Sequence, residues 1–438
     1  MTAVAPIFSD PYRQRFAEFM VRRREPDAIA KLRRTAFDRF DKLGLPTRQQ
    51  EAWRLTDLSA LQAIAWQRPG DAPVDTGILP TLDKTPTHRL VFVNGRFAPG
   101  LSRLRDLRGK TLIASLGQAL LTHPELIEPH LDRLPGLQQQ PFAALNMAFW
   151  EDGAFIHLPH GTVLETPIHL VFQTTGDHLA VHPRLLIVME ADTQATLVVE
   201  YGGQGCYLNG PVAELAVGEG AVLNYHQIQE EAPSAFHLGG IRVRQNRASQ
   251  THLHLIALGG QLARVDVDAL LDGEGASCQI NGLTLARDQQ FSACHVRVEH
   301  AQPHGTSEQV FKSVLDGKAR TVFDGMIHVR QGAQKTDARQ ISRNLLLSRQ
   351  AHAQANPRLE ILADDVKCGH GSSTGFLDPD AEFYLRARGI PLTQARALLV
   401  HAFANDNLNR IHLTPLRERL TRLLAGRLAL DFLEEETP

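Results

Sequence analysis

A cysteine and a histidine stand two residues apart, Cys368 and His370, inside the run LEILADDVKCGHGSSTG (359–375). In an extended segment, side chains at i and i+2 project to the same face. A soft sulfur and an imidazole nitrogen would then be offered side by side to one metal ion or to a partner protein. Gly369 and Gly371 flank the imidazole and leave the backbone there without steric cover. Taken alone, the pair reads more simply as a buried structural cysteine beside a hydrogen-bonded histidine, because most cysteines are inert core residues.

Other candidates are weaker. Gly109-Lys110-Thr111 resembles the end of a phosphate-binding loop, but the glycine required five residues earlier is Leu104. GEGAVL (218–223) and GEGASC (273–278) open like dinucleotide fingerprints yet lack the third glycine and a following helix. Corners of a repeating coil account for both. Among 20 histidines, His252 and His254 share a strand face and read as surface decoration; His295, His300 and His304 cluster in sequence without a recognisable ligand spacing. Asp266/Asp268 and Asp364/Asp365 are the paired carboxylates that a carbohydrate-active β-helix enzyme, the alternative reading, would need.

The elements that must position these residues fall into three regions. Residues 1–150 read as mixed α/β: helical stripes at Tyr12, Phe16, Phe19 and Met20 and at Ile29, Leu32, Ala36, Phe40 and Leu43, a loop over 66–86, a strand in HRLVFVNGRF (88–97), and helices near Ile113–Leu121 and Phe142–Trp150. Residues 151–375 read as short strands with period-2 patterning. Val265, Val267, Ala269 and Leu271 alternate with Asp266 and Asp268; Ile241 and Val243 alternate with Arg242 and Arg244. Small-residue corners recur at Ala195, Ala221, Ala248 and Ala276, with closer and irregular ones at Ala319, Ala333 and Ala351. A repeat of this length points to a solenoid. A mainly β chain with a β-helix core suits it better than the rival sandwich or cupin-like barrels. Residues 376–438 read as helical, opening at Asp378-Pro379-Asp380, Pro391 and Pro415. Their stripes include Ala395, Leu398, Leu399 and Phe403, which must be buried by the solenoid or by a partner.

Composition sets the outer limits. The chain has 438 residues, 43% hydrophobic and 21% charged, enough for a sizeable packed core. A formal net charge of −2 offers no basic footprint for nucleic acid. No apolar run approaches the length of a membrane span, and no signal-peptide pattern is read at the N-terminus. Four scattered cysteines, Cys206, Cys278, Cys294 and Cys368, argue against a disulfide framework and fit a reducing, cytoplasmic setting.

The runs FDGMIHVRQGAQKTDARQISRNLLLS (323–348), PRLEILADDVKCGHGSSTG (357–375), FYLRARGI (383–390) and ARALLVHAF (395–403) resemble the SufB/SufD family of iron–sulfur cluster assembly proteins. LPTRQQEAWRLTDL (45–58) and LVFVNGRF (90–97) extend the likeness over most of the chain, and the ADDVKCGHG form favours the SufD branch. The resemblance implies a right-handed parallel β-helix core flanked by helical regions. It implies a non-catalytic scaffold of the SUF system, paired end to end with a SufB-type paralogue, with a homodimer open to the isolated chain. It also implies a SufC-type ATPase docked on the C-terminal helices, where Leu398, Leu399 and Phe403 are the candidate contacts. No intrinsic cofactor is implied. A transient iron–sulfur cluster or iron would sit at the heterodimer interface, held by His370 with Cys368 as its neighbour.

Overall fold

The computed structural model describes residues 9–428 except 24, 71–75, 78, 83–84, 108, 135 and 137–139. Its centre is a parallel β-solenoid built from one ten-stranded and one eleven-stranded sheet. From Val222 onward, successive strands alternate between the two sheets, and every strand pairs in parallel register with the one a coil earlier. Among the described residues antiparallel pairing is confined to the early part of the chain: His88–Val93 with Arg96–Phe97, an isolated bridge from Arg89 to Arg103, and Leu112–Ser115 with Gly153–Leu158. Parallel register stacks equivalent residues into columns, and the period-2 pattern decides which columns face inward. Ile241, Val267 and Val296 form one inward column, Val243, Ala269 and Val298 another. Each valine or isoleucine of these columns, taken fully out of water, contributes about 1.5–3 kcal/mol before entropy is counted.

The small-residue corners obey a rule that alanine alone does not reveal. One corner holds Thr193, Ala221, Ser249, Ala276 and Thr336, all buried. Ala195 and Ala248 lie one or two positions off this series. Ala319 and Ala351 belong to the other corner of the coil, where the His352 amide donates to the Ala319 carbonyl at 3.0 Å. The apparent irregularity is two interleaved series. Gly220 and Gly275, at φ +66° and +70°, make the turns that the two GEGA motifs encode.

One expectation for the first region needs correction. Ile113–Ser115 lie in a strand, and the helix begins only at Leu116 with Ser115 as its N-cap. Pairing with the solenoid wall overrides helix propensity at those positions. The strand His88–Val93 is in parallel register with Ile168–Gln173, so the ten-stranded sheet starts before residue 150.

Helices cover both flanks. Asp27–Leu43 and Pro141–Phe149 pack Phe37, Phe40 and Leu145 onto the outer face of the eleven-stranded sheet at Phe155, Leu186 and Val188. Arg33, wholly buried, donates to the Ala148 and Trp150 carbonyls at 3.2 and 2.9 Å and to Glu25 at 2.8 Å, which closes the end of that second helix. The C-terminal helices Pro379–Arg386, Leu392–Leu408 and Thr414–Arg427 return along the ten-stranded sheet. There Leu408, Leu416, Leu420 and Leu424 bury Val198, Ile228, Ile256 and Leu283.

Polar pins fix this docking. Arg419 Nη2 donates to Glu200 at 2.6 Å, and His169 Nε2 lies 2.7 Å from the same carboxylate. Lys312 Nζ donates to the Phe403 carbonyl at 2.8 Å and lies 2.6 Å from Asp406. Asn407 Nδ2 donates to the Gly282 and Val310 carbonyls at 3.0 and 3.2 Å.

The two ends of the solenoid differ. At the first coil the antiparallel strands and the following segment cover the inward residues, leaving Leu90, Phe92 and Ile113 buried with Phe97 and Leu107 packed beside them. At the last coil, His352–Ile361 and Lys367–Phe376 are outermost in their sheets. No described residue of Lys367–Phe376 is fully buried, and Phe376 is 60% exposed.

Candidate functional site

Cys368 and His370 sit on that outermost strand. Cys368 pairs in register with Ala338, and His370 with Gln340. The column below Cys368 is Ala338, Ser307, Cys278 and Thr251; below His370 it is Gln340, Gln309, Ile280 and Leu253. Cys278, Ile280 and Leu253 belong to the lumen core, so the thiol and the imidazole share the inward face at a mouth with no further coil above it. This is the same-face relation that spacing by two required.

Their environments differ. Cys368 is half-buried against a small cluster that includes Ile327, Val329 and Ala338, and this burial pushes its thiol up. A raised thiol is less often the thiolate that binds metal. His370 is exposed, and an open groove runs along it between Arg339, Gln340, Lys367 and Cys368. A Cβ at Gly369 or Gly371 would meet nothing within 4 Å, so space for an approaching chain flanks the imidazole.

The remaining thiols are not brought to the mouth. Cys278 is buried in the lumen and pushed up to about 12; Cys294 is raised in the same way, by burial. Among the described residues no three His, Cys, Asp or Glu side chains are arranged to hold a metal.

The weaker candidates resolve as follows. Gly109–Thr111 precede the strand Leu112–Ser115 rather than a helix N-terminus, so no phosphate cradle forms. We therefore expect the purified chain to hydrolyse no ATP; turnover abolished by Lys110→Ala would contradict this. Asp266 accepts from Arg264 at 2.9 Å, Asp268 pairs with Arg242 at 3.1 Å, and Asp365 pairs with Lys335. These carboxylates are engaged, which disfavours the carbohydrate-cleaving alternative. His252 and His254 are not surface decoration. They lie with His226 under the returning C-terminal segment, His254 buried and its ring 5.0 Å from that of His226, and His252 6.4 Å from His412. Burial holds His254 down to about 3. His295, His300 and His304 go to the outer face, the lumen and a turn respectively, and form no group.

On the C-terminal helices, Leu398 and Leu399 are half-buried. Phe403 is engaged within the chain: it packs by Val314, Leu345 and Val400, with Lys312 Nζ 4.6 Å from its ring centre. The buried face of Leu392–Leu408 is Ala395, Val400, Ala404, Asn407 and Leu408, rotated from the stripe expected in sequence. Reading the stripe overlooked Phe383 and Tyr384, 72% and 57% exposed on Pro379–Arg386, a helix that buries no residue. Adjacent aromatics point about 100° apart on a helix, so a two-turn helix with few other apolar residues buries both with difficulty, and that was the available signal.

Fold and site together define a class: a parallel β-solenoid with one bare end, a sulfur and an imidazole donor at that mouth, and helices folded along its side. Residues 172–403 match the profile described as SUF system FeS cluster assembly, SufBD core domain, and residues 8–170 match the SufBD protein N-terminal region. The chain belongs to the SufBD family and has a role in SUF iron–sulfur cluster assembly. It is 34% identical to an iron–sulfur cluster assembly SufBD family protein of Synechocystis, over 93% of both chains. It is 27% identical to the iron–sulfur cluster assembly protein SufD of Escherichia coli, over 88% of this chain and 90% of that one. It is 28% identical to the chloroplastic protein ABCI7 of Arabidopsis thaliana, over 87% and 82%. Among the described residues no helix is long and apolar enough to cross a membrane.

Proposed function

We propose that this chain is a non-catalytic scaffold subunit. It pairs with a SufB-type paralogue through its open last coil and carries a SufC-type ATPase on its C-terminal helices. A nascent cluster or iron forms at the paired end, where His370 is a ligand and Cys368 a neighbour that serves as a secondary donor. The observation that carries this reading is the asymmetry of the solenoid. One end is closed by the chain itself, while at the other, among the described residues, the strand edges are unpaired beside an exposed Phe376 and the donor pair. Bare edges are templates for another chain and are not left uncovered without a use. The two donors fall short of a complete coordination shell, so a partner must supply the rest.

Co-expression with a SufB-type paralogue and a SufC-type ATPase tests the assembly: all three should co-purify. Leu398→Asp and Phe383→Asp should each weaken ATPase retention by about 2 kcal/mol, roughly thirtyfold, if they lie at the centre of that contact. Phe403→Asp should loosen Leu392–Leu408 from the solenoid and weaken retention indirectly. Retention unchanged in all three, with the helices intact by circular dichroism, would reject helical docking.

A further inference from the structure

The lumen changes character towards its open end. Inward positions of the His370 column are Leu253 and Ile280 in the middle coils, then Gln309 and Gln340 in the two coils below the mouth. Gln340 is wholly buried, and its Nε2 donates to Gln309 Oε1 at 2.7 Å. Gly325 on the facing sheet makes this possible, since a Cβ there would overlap the Gln340 amide nitrogen. The carboxamide is thus held by a hydrogen bond on one side and by the space a glycine leaves on the other.

Its remaining oxygen has no counterpart. Among the described residues Gln340 Oε1 is buried with no hydrogen-bond partner, as is Gln309 Nε2 one coil below. Leaving such an acceptor unsatisfied costs about 1–3 kcal/mol. Adjacent strands lie about 4.8 Å apart, and the residue above Gln340 in the column is His370. The imidazole makes no hydrogen bond to that oxygen in this arrangement, but it stands in register on the adjacent strand, and a rotation of the ring would turn an N–H towards it.

We propose that Gln340 is a positioning residue for His370. Its Oε1 accepts the Nδ1–H of the imidazole and leaves Nε2 bare, directed out of the mouth towards iron or a nascent cluster. Nδ1 is the nitrogen next to the ring's point of attachment and stays over the neighbouring strand; Nε2 is at the tip. A hydrogen bond to one ring nitrogen sets which of the two can ligate, and ligating histidines commonly donate their other N–H in this way. The inference rests on His370 being a ligand, but the hydrogen bond itself can be examined without iron.

The experiment uses the full chain labelled with ¹⁵N-histidine, with the His370 signals identified by their loss in His370→Gln. Two-bond ¹⁵N–¹H spectra should show Nδ1 protonated and Nε2 bare in the wild type and in Gln340→Glu, where an acceptor is retained. Gln340→Leu, or Gln340→Met should the leucine variant fail to fold, should move His370 to the opposite tautomer. In the assembled complex the same Leu or Met variant should retain about tenfold less iron, restored by Gln340→Glu. A wild-type His370 protonated at Nε2, or a tautomer indifferent to Gln340→Leu, overturns the proposal. A tautomer that follows Gln340 while iron retention stays normal in both Gln340→Leu and His370→Ala keeps the hydrogen bond and overturns the ligand reading.

Discussion

Replacing His370 by alanine will leave the complex with paralogue and ATPase assembled and will strip it of its cluster. The two halves of this result have separate causes. A standard interface engages about 20–30 residues a side, and His370 is one exposed side chain on an outermost strand whose backbone edge would carry the proposed pairing. Assembly therefore survives. Loss of a ligand exceeds loss of a group that only orients one, which costs about 10- to 100-fold in metal affinity. Iron content and cluster absorbance of the co-purified complex should accordingly fall by at least about tenfold. Cys368→Ala should have the smaller effect, because burial holds that sulfur as a thiol and turns part of it into the wall. Normal loading in His370→Ala would remove the imidazole from the mechanism, and loss in Cys368→Ala alone would reverse the ranking.

Truncating Glu200 to alanine should release the last helix from the solenoid. The carboxylate is buried on the outer face of the ten-stranded sheet and accepts from Arg419 at 2.6 Å, with His169 Nε2 at 2.7 Å. Removing it leaves an arginine and a histidine desolvated with no acceptor there, a loss of about 3–5 kcal/mol. Glu200→Gln should cost less, since it keeps a hydrogen-bonding oxygen. Hydrogen exchange over 414–427 and the melting temperature read the effect; protection equal to wild type in Glu200→Ala would show that the helix is held by its leucines alone. The pH dependence has a definite sign. Burial acts to raise the Glu200 carboxyl, but His169 and Arg419 outweigh it and hold the group below its ordinary value. Its contribution is therefore complete above the ordinary glutamate value of about 4.3 and is lost as pH falls through the depressed folded value. Glu200→Ala should lack that part of the acid transition.

The strands and their inward faces were legible because every coil repeats the same demand, an apolar residue at alternate positions. Val265, Val267, Ala269 and Leu271 needed only counting. The site was legible as a pair, since spacing by two on a strand fixes a common face. Its setting was not. Nothing local to Gln340 says that the next coil is the last, or that its column runs from Ile280 to an open mouth; that depends on register between strands about thirty residues apart. The alternation Ala338, Gln340, Ser342, Asn344 was nevertheless a visible sign that the inner face had turned polar. The C-terminal docking was left open between the solenoid and a partner for a related reason. Nothing local to Lys312, Asn407 or Arg419 names the group that each meets when the helices return. His252 and His254 were misplaced because the cover over their strand lies more than 150 residues away in the chain.

A stack of strands with two bare ends grows without limit, since each added unit presents the edge that the next requires. Here one terminus is blunted by short antiparallel strands, so growth has a single direction and a single step. Two chains meeting mouth to mouth consume both adhesive edges and leave only blunted ones outward, so the assembly is self-terminating at two whether the second chain is a copy or a paralogue. The same chain deprived of its blunt cap would have the makings of a fibre. If the last coil is where two chains pair, deleting the first strands should convert a pair into a polymer, and the control of stoichiometry would then lie at the end of the molecule farthest from Cys368 and His370.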